Sequence, residues 1–468
     1  MDRVGEFSEG GGLREDFVRH LREAVGERAM PPAGSAGSPL AVRPACTAEV
    51  AQVVAACAAA GVCVVPRGGD TGLSGGTSHP TSPSITISLE RMKRIVSVDP
   101  QRWAITAEAG ATIEALQEAA ASAGRKFAPD WGARGSATLG GAISTNAGGN
   151  NVLRYGTMRD SVLGIEAVLA DGRVWDGRRA LRKDSSGFDL KQLFIGGEGI
   201  LGIVTSAVVK LVAATPHEQS ALAAIEDLDA LMPLLELAQA HSDGSLSAFE
   251  LMPLLGMRRV AGLHGMSVPI STDSEYCVLV KLASGEPVTD RLAGLLDAAA
   301  DAGLVGEAVL AVTAEQESAI WTLRDELSPT RAYRDFHRHG LKLDIAVPLD
   351  CMARCIRDVR ALAAAMAPDA ACYAFGHAGD GNLHLWILPL EADAVEPFLA
   401  VKEALSEAVD AAVLGMGGTL SGEHGIGTLL RERIAAQKAP IEWELMRALK
   451  SALDPAGLFN PGRTRPPP

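Results

Sequence analysis

The stretch Pro66-Arg67-Gly68-Gly69-Asp70-Thr71-Gly72-Leu73-Ser74-Gly75-Gly76-Thr77 constrains this chain more than any other. Five glycines in twelve residues leave a run of backbone almost bare of side chains. Such a run can take left-handed conformations and lets a ligand approach the main chain closely. Its successive N–H groups can form a concave nest suited to phosphate. The flanks decide what kind of loop this is. Val62-Cys63-Val64-Val65 before it reads as a short buried strand, and Ser84 to Leu89 after it reads as an alternating strand. A dinucleotide fingerprint or a P-loop would open a helix here, and neither Lys-Ser nor Lys-Thr follows the glycines. Both of those readings are therefore excluded. A plain flexible surface loop is the bland alternative.

Two further glycine clusters follow. The second runs from Gly135 to Asn151 and ends near Tyr155-Gly156. Within it, Thr138 is expected to open a short helix whose N-terminus faces a phosphate. Asn146, Asn150 and Asn151 tolerate left-handed turns. The third, Gly196-Gly197-Glu198-Gly199-Ile200-Leu201-Gly202, leads into a β-rich run from Ile203 to Val212. Between the clusters the chain alternates strand and helix. Thr47 to Ala60 reads as a helix with Thr47 as its N-cap and Gly61 just past its end. Ile95–Val98 and Trp103–Ala107 read as a strand pair, and Thr112 caps a helix that stops at Gly124. Val162–Ala170 and Arg173–Trp175 flank an Asp-Gly turn. One extended ligand crossing several strand ends explains the three clusters together.

These three segments resemble the flavoproteins of the vanillyl-alcohol oxidase/p-cresol methylhydroxylase type, over about 40–212. The resemblance implies FAD, with pyrophosphate on the 67–72 loop and the flavin near the second and third clusters. Carried over position by position, it implies FAD contacts from Arg67, Gly68, Gly69, Asp70, Thr71, Gly72, Ser74 and Gly75 in the first segment. Pro129, Gly135, Ser136, Thr138, Gly140, Gly141, Ser144, Thr145, Asn146, Gly148, Gly149, Tyr155 and Gly156 follow in the second. Glu198, Gly199 and Ile203 come from the third, and Asn460 from the C-terminus. Some members tether the flavin to a histidine in the first loop. Asp70 and Thr71 stand there in this chain, so non-covalent FAD is expected. His79 lies beyond the loop and reads as a packing or surface histidine.

From about 217 the texture changes to Ala/Leu-rich helices (226–242, 289–303, 350–366) between short strands such as Tyr276–Lys281 and Leu341–Pro348. The divisions expected are an N-terminal extension over 1–37, an FAD-binding domain over 38–216, a substrate domain over 217–415 and a C-terminal segment over 416–468. Segment 31–39 reads as a linker, and Asp16–Val25 as one short helix. With 43 basic and 57 acidic residues the net charge is −14, which argues against nucleic acid as a partner. The seven cysteines (46, 57, 63, 277, 351, 355 and 372) are scattered without metal-site spacing. With no signal or transit pattern at the N-terminus, they point to a reduced, cytoplasmic protein, a peripheral position at a membrane being left open. No run of apolar residues is long enough to span a bilayer.

Three of the ten histidines fall between 377 and 424, two of them, His377 and His424, beside glycine. Tyr373–Gly376 and Leu385–Leu388 read as strands joined at Asp380-Gly381, which brings His377 and His384 together across a hairpin. Imidazoles so placed can share a metal ion. Ser421-Gly422-Glu423-His424-Gly425-Ile426-Gly427 is a second tight loop. Two histidines and a carboxylate leave coordination positions open, as catalytic metal sites do. Glu423 and His424 are neighbours, so one can ligate a metal while the other faces a substrate. A lone histidine is more often simply hydrogen-bonded, and Glu423 alone would be a solvated acid. The company of the glycine turns and the flavin loops tells against those readings.

Both segments resemble the C-terminal half of the FAD-dependent D-2-hydroxyacid dehydrogenases, and with the flavin motifs the likeness covers nearly all of 40–463. It includes the closing run Leu453 to Gly462, which in the family folds back beside the flavin. The fold implied is α+β, a p-cresol methylhydroxylase-type FAD-binding domain of two α/β subdomains with an α+β cap domain and a C-terminal segment returning to the flavin. The resemblance implies that His377, His384 and Glu423 hold a divalent metal, zinc by preference, and that His424 is the general base. It also implies that Arg324, on the helix reading Leu323 to Ser328, and Lys342 bind carboxylate, with Ser328 and Trp386 lining the substrate pocket. An arginine fork suits a carboxylate, although Arg324 on its residues alone is as readily a helix-surface cation. The chemistry implied is oxidation of a D-2-hydroxy acid to the 2-oxo acid, by proton removal from the hydroxyl and hydride transfer to flavin N5. The Lys342 and Arg324 patterns lean towards D-2-hydroxyglutarate. Many hydroxyglutarate enzymes carry asparagine where Trp386 stands, which keeps D-lactate and glycolate open. An alkyl-dihydroxyacetonephosphate synthase-like transferase and an accessory flavin-binding subunit are more distant alternatives. Electron-transfer flavoprotein, quinone or cytochrome is the expected electron acceptor, and a homodimer is one arrangement left open.

Overall fold

The computed structural model describes residues 13, 15–30, 40–80, 83–271, 273–327 and 338–463. The expected linker at 31–39 and the candidate substrate residue Ser328 lie outside them. The chain forms two compact units. The first comprises the described residues up to Gly148, then Gly156–Ala213, then the stretch from His424 onward. The second comprises Gly149–Tyr155 and Ala214–Glu423.

The first unit holds two principal sheets. Leu40–Val42, Ser84–Ser88 and Cys63–Arg67 form a parallel sheet with Ser84–Ser88 in the middle. Helix Thr47–Ala60 lays Val50, Val53, Val54 and Cys57 into the same core as Val64, Ile85 and Ile87. Gly61 ends that helix in a left-handed conformation. The N-cap is Cys46 rather than Thr47, whose hydroxyl instead donates to Glu166 at 2.5 Å. The second sheet is antiparallel, in the order Ile95–Asp99, Ala104–Glu108, Ile203–Lys210, Val162–Val168, Val174–Asp176. Its central strand Ile203–Lys210 is buried along nearly its whole length. The Thr112 hydroxyl caps helix Ile113–Ser122 as expected, accepting from the amide of Ala115.

The second unit is built on a four-stranded sheet in the order Leu246–Pro253, Tyr276–Ser284, His217–Ile225, Ala308–Leu310. A three-stranded antiparallel sheet places Asn382–Pro389 between Leu341–Ala346 and Ala370–Phe375. The two sheets touch where Leu251 and Gly376 exchange backbone hydrogen bonds. Helices Thr289–Asp301 and Met352–Met366 lie within the expected spans. The helix expected over 226–242 begins only at Leu231. Pro233 is the reason, because proline is tolerated in a first turn but not further inside a helix.

The C-terminal stretch returns to the first sheet of the first unit. The Val64 amide donates to the Leu458 carbonyl at 2.9 Å, and the Asn460 amide donates to the Val64 carbonyl at 2.9 Å. Asp454, which is buried, organises that return. Its carboxylate accepts from the amides of Leu458 and Phe459, each at 2.8 Å, and pairs with Lys450. Lys450 also donates to the carbonyls of Ile200 and Phe459.

Asp454→Ala orphans two buried amides and removes the counter-ion of a partly buried ammonium. It is expected to destabilise the protein by about 3–5 kcal/mol, in the range for breaking a buried pair. A denaturant melt measures this, and a loss under about 1 kcal/mol would show that the return does not depend on the carboxylate.

Candidate active site

Strand alternation builds the centre of the second unit. Successive side chains of a strand point to opposite faces, so residues two apart share one. Lys342 lies opposite Trp386, and Asp344 opposite His384. On the other side of the middle strand, Tyr373 lies opposite Trp386 and Phe375 opposite His384. One face of this sheet therefore carries Lys342, Asp344, His384, Trp386, Tyr373 and Phe375. His377 follows Phe375 across Gly376 and is brought back beside His384, with ring centroids 5.8 Å apart.

Glu423 completes the group. Its Oε1 lies 3.8 Å from His377 Nε2 and 3.6 Å from His384 Nε2. His377, His384 and Glu423 thus offer three ligand atoms within 4.8 Å of one another. Two imidazoles and one carboxylate suit zinc or a similar divalent cation, with coordination positions left for a substrate. Both Nε2 atoms face Glu423, and a buried carboxylate stands behind each ring. Glu250 Oε1 is 2.8 Å from His377 Nδ1, and Asp344 Oδ1 is 3.6 Å from His384 Nδ1. Asp344 also accepts from Asn382 Nδ2 at 2.8 Å and from the Glu423 amide at 2.9 Å. The second of these fixes the backbone of Glu423 itself. Gly422 is required there, since a Cβ would fall 2.0 Å from Asn382 Nδ2.

Neither Glu250 nor Asp344 was expected from the sequence. Glu250 is the one acid in Leu246–Pro253, a strand whose eight residues are all buried. That isolation was the available signal. Arg324 is 7 % exposed, and its Nε donates to Glu250 Oε2 at 2.7 Å. It is thus a buried cation, not a helix-surface one. Burial disfavours the Glu250 carboxylate, yet Arg324 and His377 outweigh it and hold its pKa at about 2. Burial likewise disfavours the His377 imidazolium, and Glu250 outweighs it, raising that pKa to about 10. Lys342 sets its ammonium 4.6 Å from the Trp386 ring centroid. Trp386 is therefore a cation platform as well as a bulky wall.

In the first unit, the cofactor loops meet each other directly. A Cβ on Gly69 would fall 1.9 Å from the Ser136 carbonyl, so only glycine allows the first loop to lie on the second. Asp70 itself takes a left-handed φ of 56°. Asp70, Thr71, Gly72 and Leu73 are exposed, and a Cβ on Gly72 would meet nothing within 4 Å. Among the described residues, no acceptor pairs with the backbone N–H groups of Gly69 to Leu73. Such a run of open donors fits a pyrophosphate. Helix Leu139–Thr145 does not. Its first amides are taken by Ala111 and Ala109, and Gly141 is capped by the Thr138 hydroxyl. The expectation that this helix end faces a phosphate is therefore corrected: it packs on Ala109–Ala111.

The remaining expected cofactor residues are placed as follows. Pro129 accepts from Gln117, and the Asn146 carboxamide accepts from the Arg159 amide. Thr145 donates back to the Gly141 carbonyl, while Ser144 accepts from the Glu198 amide through its own carbonyl. Gly148 and Gly156 fall in the first unit, and Gly149 and Tyr155 in the second. Arg67 ends its strand, Gly68 packs on Thr138, and Gly75 on Thr428. Gly135, Ser136, Gly140, Gly199 and Ile203 belong to the loops and strand already described. Asn460 donates to the Glu198 carbonyl at 2.6 Å. His79 is a packing histidine, held between Ser84 and Thr86.

Glu423 is the last residue of the second unit and His424 resumes the first. Within the first unit, Ser74 donates to the carbonyls of His424 and Gly425. Glu198 accepts from the amides of Ile426 at 2.6 Å and Gly427 at 2.8 Å. Burial raises the Glu198 pKa, and those two amides draw it back. Ser74 and Glu198, expected to touch FAD, thus anchor the backbone that carries His424.

An FAD-loop unit and an α+β unit with a candidate cation cluster define a class, the FAD-dependent oxidoreductases of p-cresol methylhydroxylase-type fold. The chain belongs to the FAD-linked oxidases: residues 214–464 match their C-terminal domain, and residues 38–178 match an FAD-binding domain. It is 35 % identical over 441 residues to the probable mitochondrial D-2-hydroxyglutarate dehydrogenase of Oryza sativa subsp. japonica, covering 92 % of this chain and 75 % of that one. It is 35 % identical over 431 residues to the mitochondrial D-2-hydroxyglutarate dehydrogenase of Bos taurus, covering 92 % and 77 %. The fold matches that of p-cresol methylhydroxylase with substrate bound, at a TM-score of 0.75, 16 % identity and 98 % coverage of each chain. The relatives' mitochondrial names overturn the cytoplasmic expectation. Among the described residues, no helix is long and apolar enough to cross a membrane.

Glu198→Ala leaves the Ile426 and Gly427 amides without their acceptor. A cost of about 2–4 kcal/mol is expected, with faster hydrogen exchange at those two amides. Unchanged exchange there would show the loop to be held by other means. Glu250 gives a pH dependence. Its pKa is depressed from 4.5 to about 2, so its contribution is complete above pH 4.5 and is lost as pH falls towards 2. In metal-free protein, the melting-temperature gap between wild type and Glu250→Gln is expected to close over that interval.

Proposed function

We propose that the protein oxidises D-2-hydroxyglutarate to 2-oxoglutarate, with FAD bound without a covalent link and zinc held by His377, His384 and Glu423. On this reading, residues 38–216 form the FAD-binding domain, 217–415 the substrate domain and 416–468 the returning segment. The observation that carries the substrate assignment is the row on the three-stranded sheet. Lys342 stands on the same face as His384 and Asp344, one residue pair along. Two residues of strand span about 7 Å. A cation site and an ammonium so spaced suit an acid with carboxylates at both ends. The names of the two relatives favour the same substrate.

When bound, the flavin supplies the acceptor for the hydride leaving C2, and the cation supplies Lewis acidity to the 2-hydroxyl. The residues of the chain do the rest. His424 takes the hydroxyl proton; histidine suits proton transfer near neutral pH. Lys342 binds the distal carboxylate, and Trp386 beneath it limits the space for its chain. Arg324, fixed through its Nε by Glu250, directs its remaining nitrogens at the carboxylate next to the reacting carbon. Orientation by these groups selects one enantiomer. An electron-transfer flavoprotein, quinone or cytochrome would serve as the final electron acceptor.

Anaerobic mixing of the oxidised protein with D-2-hydroxyglutarate, its L enantiomer, D-lactate, D-malate and glycolate tests the reading. Rapid bleaching of the flavin by D-2-hydroxyglutarate, and slow or no bleaching by the L form, is expected. His424→Ala should slow bleaching by about 10²–10⁴-fold, the usual contribution of a general base. Lys342→Met should raise the KM for D-2-hydroxyglutarate and leave D-lactate turnover nearly unchanged. Faster bleaching by D-lactate than by D-2-hydroxyglutarate would transfer the assignment to the monocarboxylate.

A further inference from the structure

We propose that Glu250 is a positioning residue that sets the divalent-cation affinity of the His377–His384–Glu423 group by holding the Nδ1 proton of His377. The inference rests on the metal reading above and extends it to a residue outside the ligand set.

A neutral imidazole has one donor nitrogen and one acceptor nitrogen, and an ionised carboxylate only accepts. Glu250 Oε1 lies 2.8 Å from His377 Nδ1. A proton therefore sits on Nδ1, and Nε2 is the nitrogen whose lone pair a cation can take in exchange for a proton. Nε2 is the atom that faces Glu423 Oε1, at 3.8 Å. One hydrogen bond thus selects the tautomer able to ligate and also fixes the ring plane. A partner carboxylate behind a ligating histidine commonly changes metal affinity by about 10–100-fold.

Burial makes this more than a local contact. Glu250 is 1 % exposed in a strand whose other residues are all buried, so an acid there needs compensation from both of its oxygens. Oε2 is engaged by Arg324 Nε at 2.7 Å, and Oε1 by His377. The backbone supports the same alignment. Leu251 and Gly376 exchange hydrogen bonds, and the Gly379 amide donates to the Phe249 carbonyl at 3.0 Å. Strand Leu246–Pro253 is thereby locked alongside the turn that carries His377. The competing account makes Glu250 only the counter-ion of Arg324. The two accounts differ in what removal of Arg324 does.

The experiment uses FAD-loaded protein stripped of divalent ions and titrated with Co²⁺, read by the cobalt ligand-field spectrum and by competition with a chelator. Four proteins are compared at matched folding, checked by thermal melt: wild type, Glu250→Gln, Arg324→Met and the double variant. Glu250→Gln is expected to weaken Co²⁺ binding by about 10–100-fold and to alter the spectrum. Arg324→Met, which keeps the Glu250–His377 bond, is expected to bind Co²⁺ as tightly as wild type or tighter. The double variant buries no unpaired arginine. It should show the same loss as Glu250→Gln even if the single variant does not fold. Equal Co²⁺ affinity in wild type and the Glu250 variants overturns the inference and leaves the metal reading standing. A loss in Arg324→Met as large as in Glu250→Gln also overturns it, because the counter-ion account then suffices. A wild type that takes up no Co²⁺ removes the metal reading, and this inference with it.

Discussion

The candidate centre depends on the pairing of strands Leu341–Ala346 and Asn382–Pro389 in one register. That register puts Asp344 opposite His384 and Lys342 opposite Trp386. Because side chains alternate at every residue, a slip of one position would send all four to the other side of the sheet. The apolar residues between them, Leu343, Ile345, Leu383, Leu385 and Ile387, are all buried and resist such a slip. Hydrophobic burial on one face thus holds the polar chemistry of the other in place. The cation group, the lysine and the tryptophan follow from one pairing.

Around that sheet the acids work as spacers for charge. Glu250 and Asp344 are both buried, and both are shared between a histidine and a second partner. Arg324 keeps a carboxylate ionised in a fully buried strand, and the carboxylate keeps His377 oriented. An uncompensated charge in such a place would cost several kcal/mol. The arrangement is therefore stable only as a set. Replacing one member changes the electrostatics of the others, which is why the roles of Arg324 and Glu250 have to be separated by experiment.

In the first unit, the same economy is reached with backbone instead of side chains. Gly69 lies against the Ser136 carbonyl, and the amides from Gly69 to Leu73 have no acceptor among the described residues. The glycines serve two ends there: some allow loop to touch loop, and others leave donors open to a ligand. Glu198 and Ser74 stand in the family's flavin motifs, yet their side chains hold the backbone from His424 to Gly427. Cofactor loops and the loop of the proposed base are thereby tied together within one unit. The C-terminal turn at Leu458–Asn460 joins the same neighbourhood through Val64 and the Glu198 carbonyl.

What could be read from the residues was whatever depends on local pattern. Helix Thr47–Ala60, the strand before the first glycine loop, the Thr112 cap and the hairpin bearing His377 and His384 all follow from periodicity, caps and turn residues a few positions apart. The pairing of those histidines with Glu423 was legible because Gly376 and Gly422 stand beside His377 and Glu423, and because the motifs match a known family. The Thr47 cap and the start of the helix at Leu231 were misread, since a distant Glu166 and a nearby proline outweighed local preference. Ser74, Glu198, Arg324 and Glu250 were decided by tertiary structure alone. Their partners lie 74 to 351 residues away in sequence, and no local spacing announces them. Sequence by itself determines which chemical groups the chain owns and which short elements carry them. Only the packing of remote strands decides which acid meets which histidine, because the energy of that choice comes from desolvation and charge compensation between segments that are neighbours in space alone.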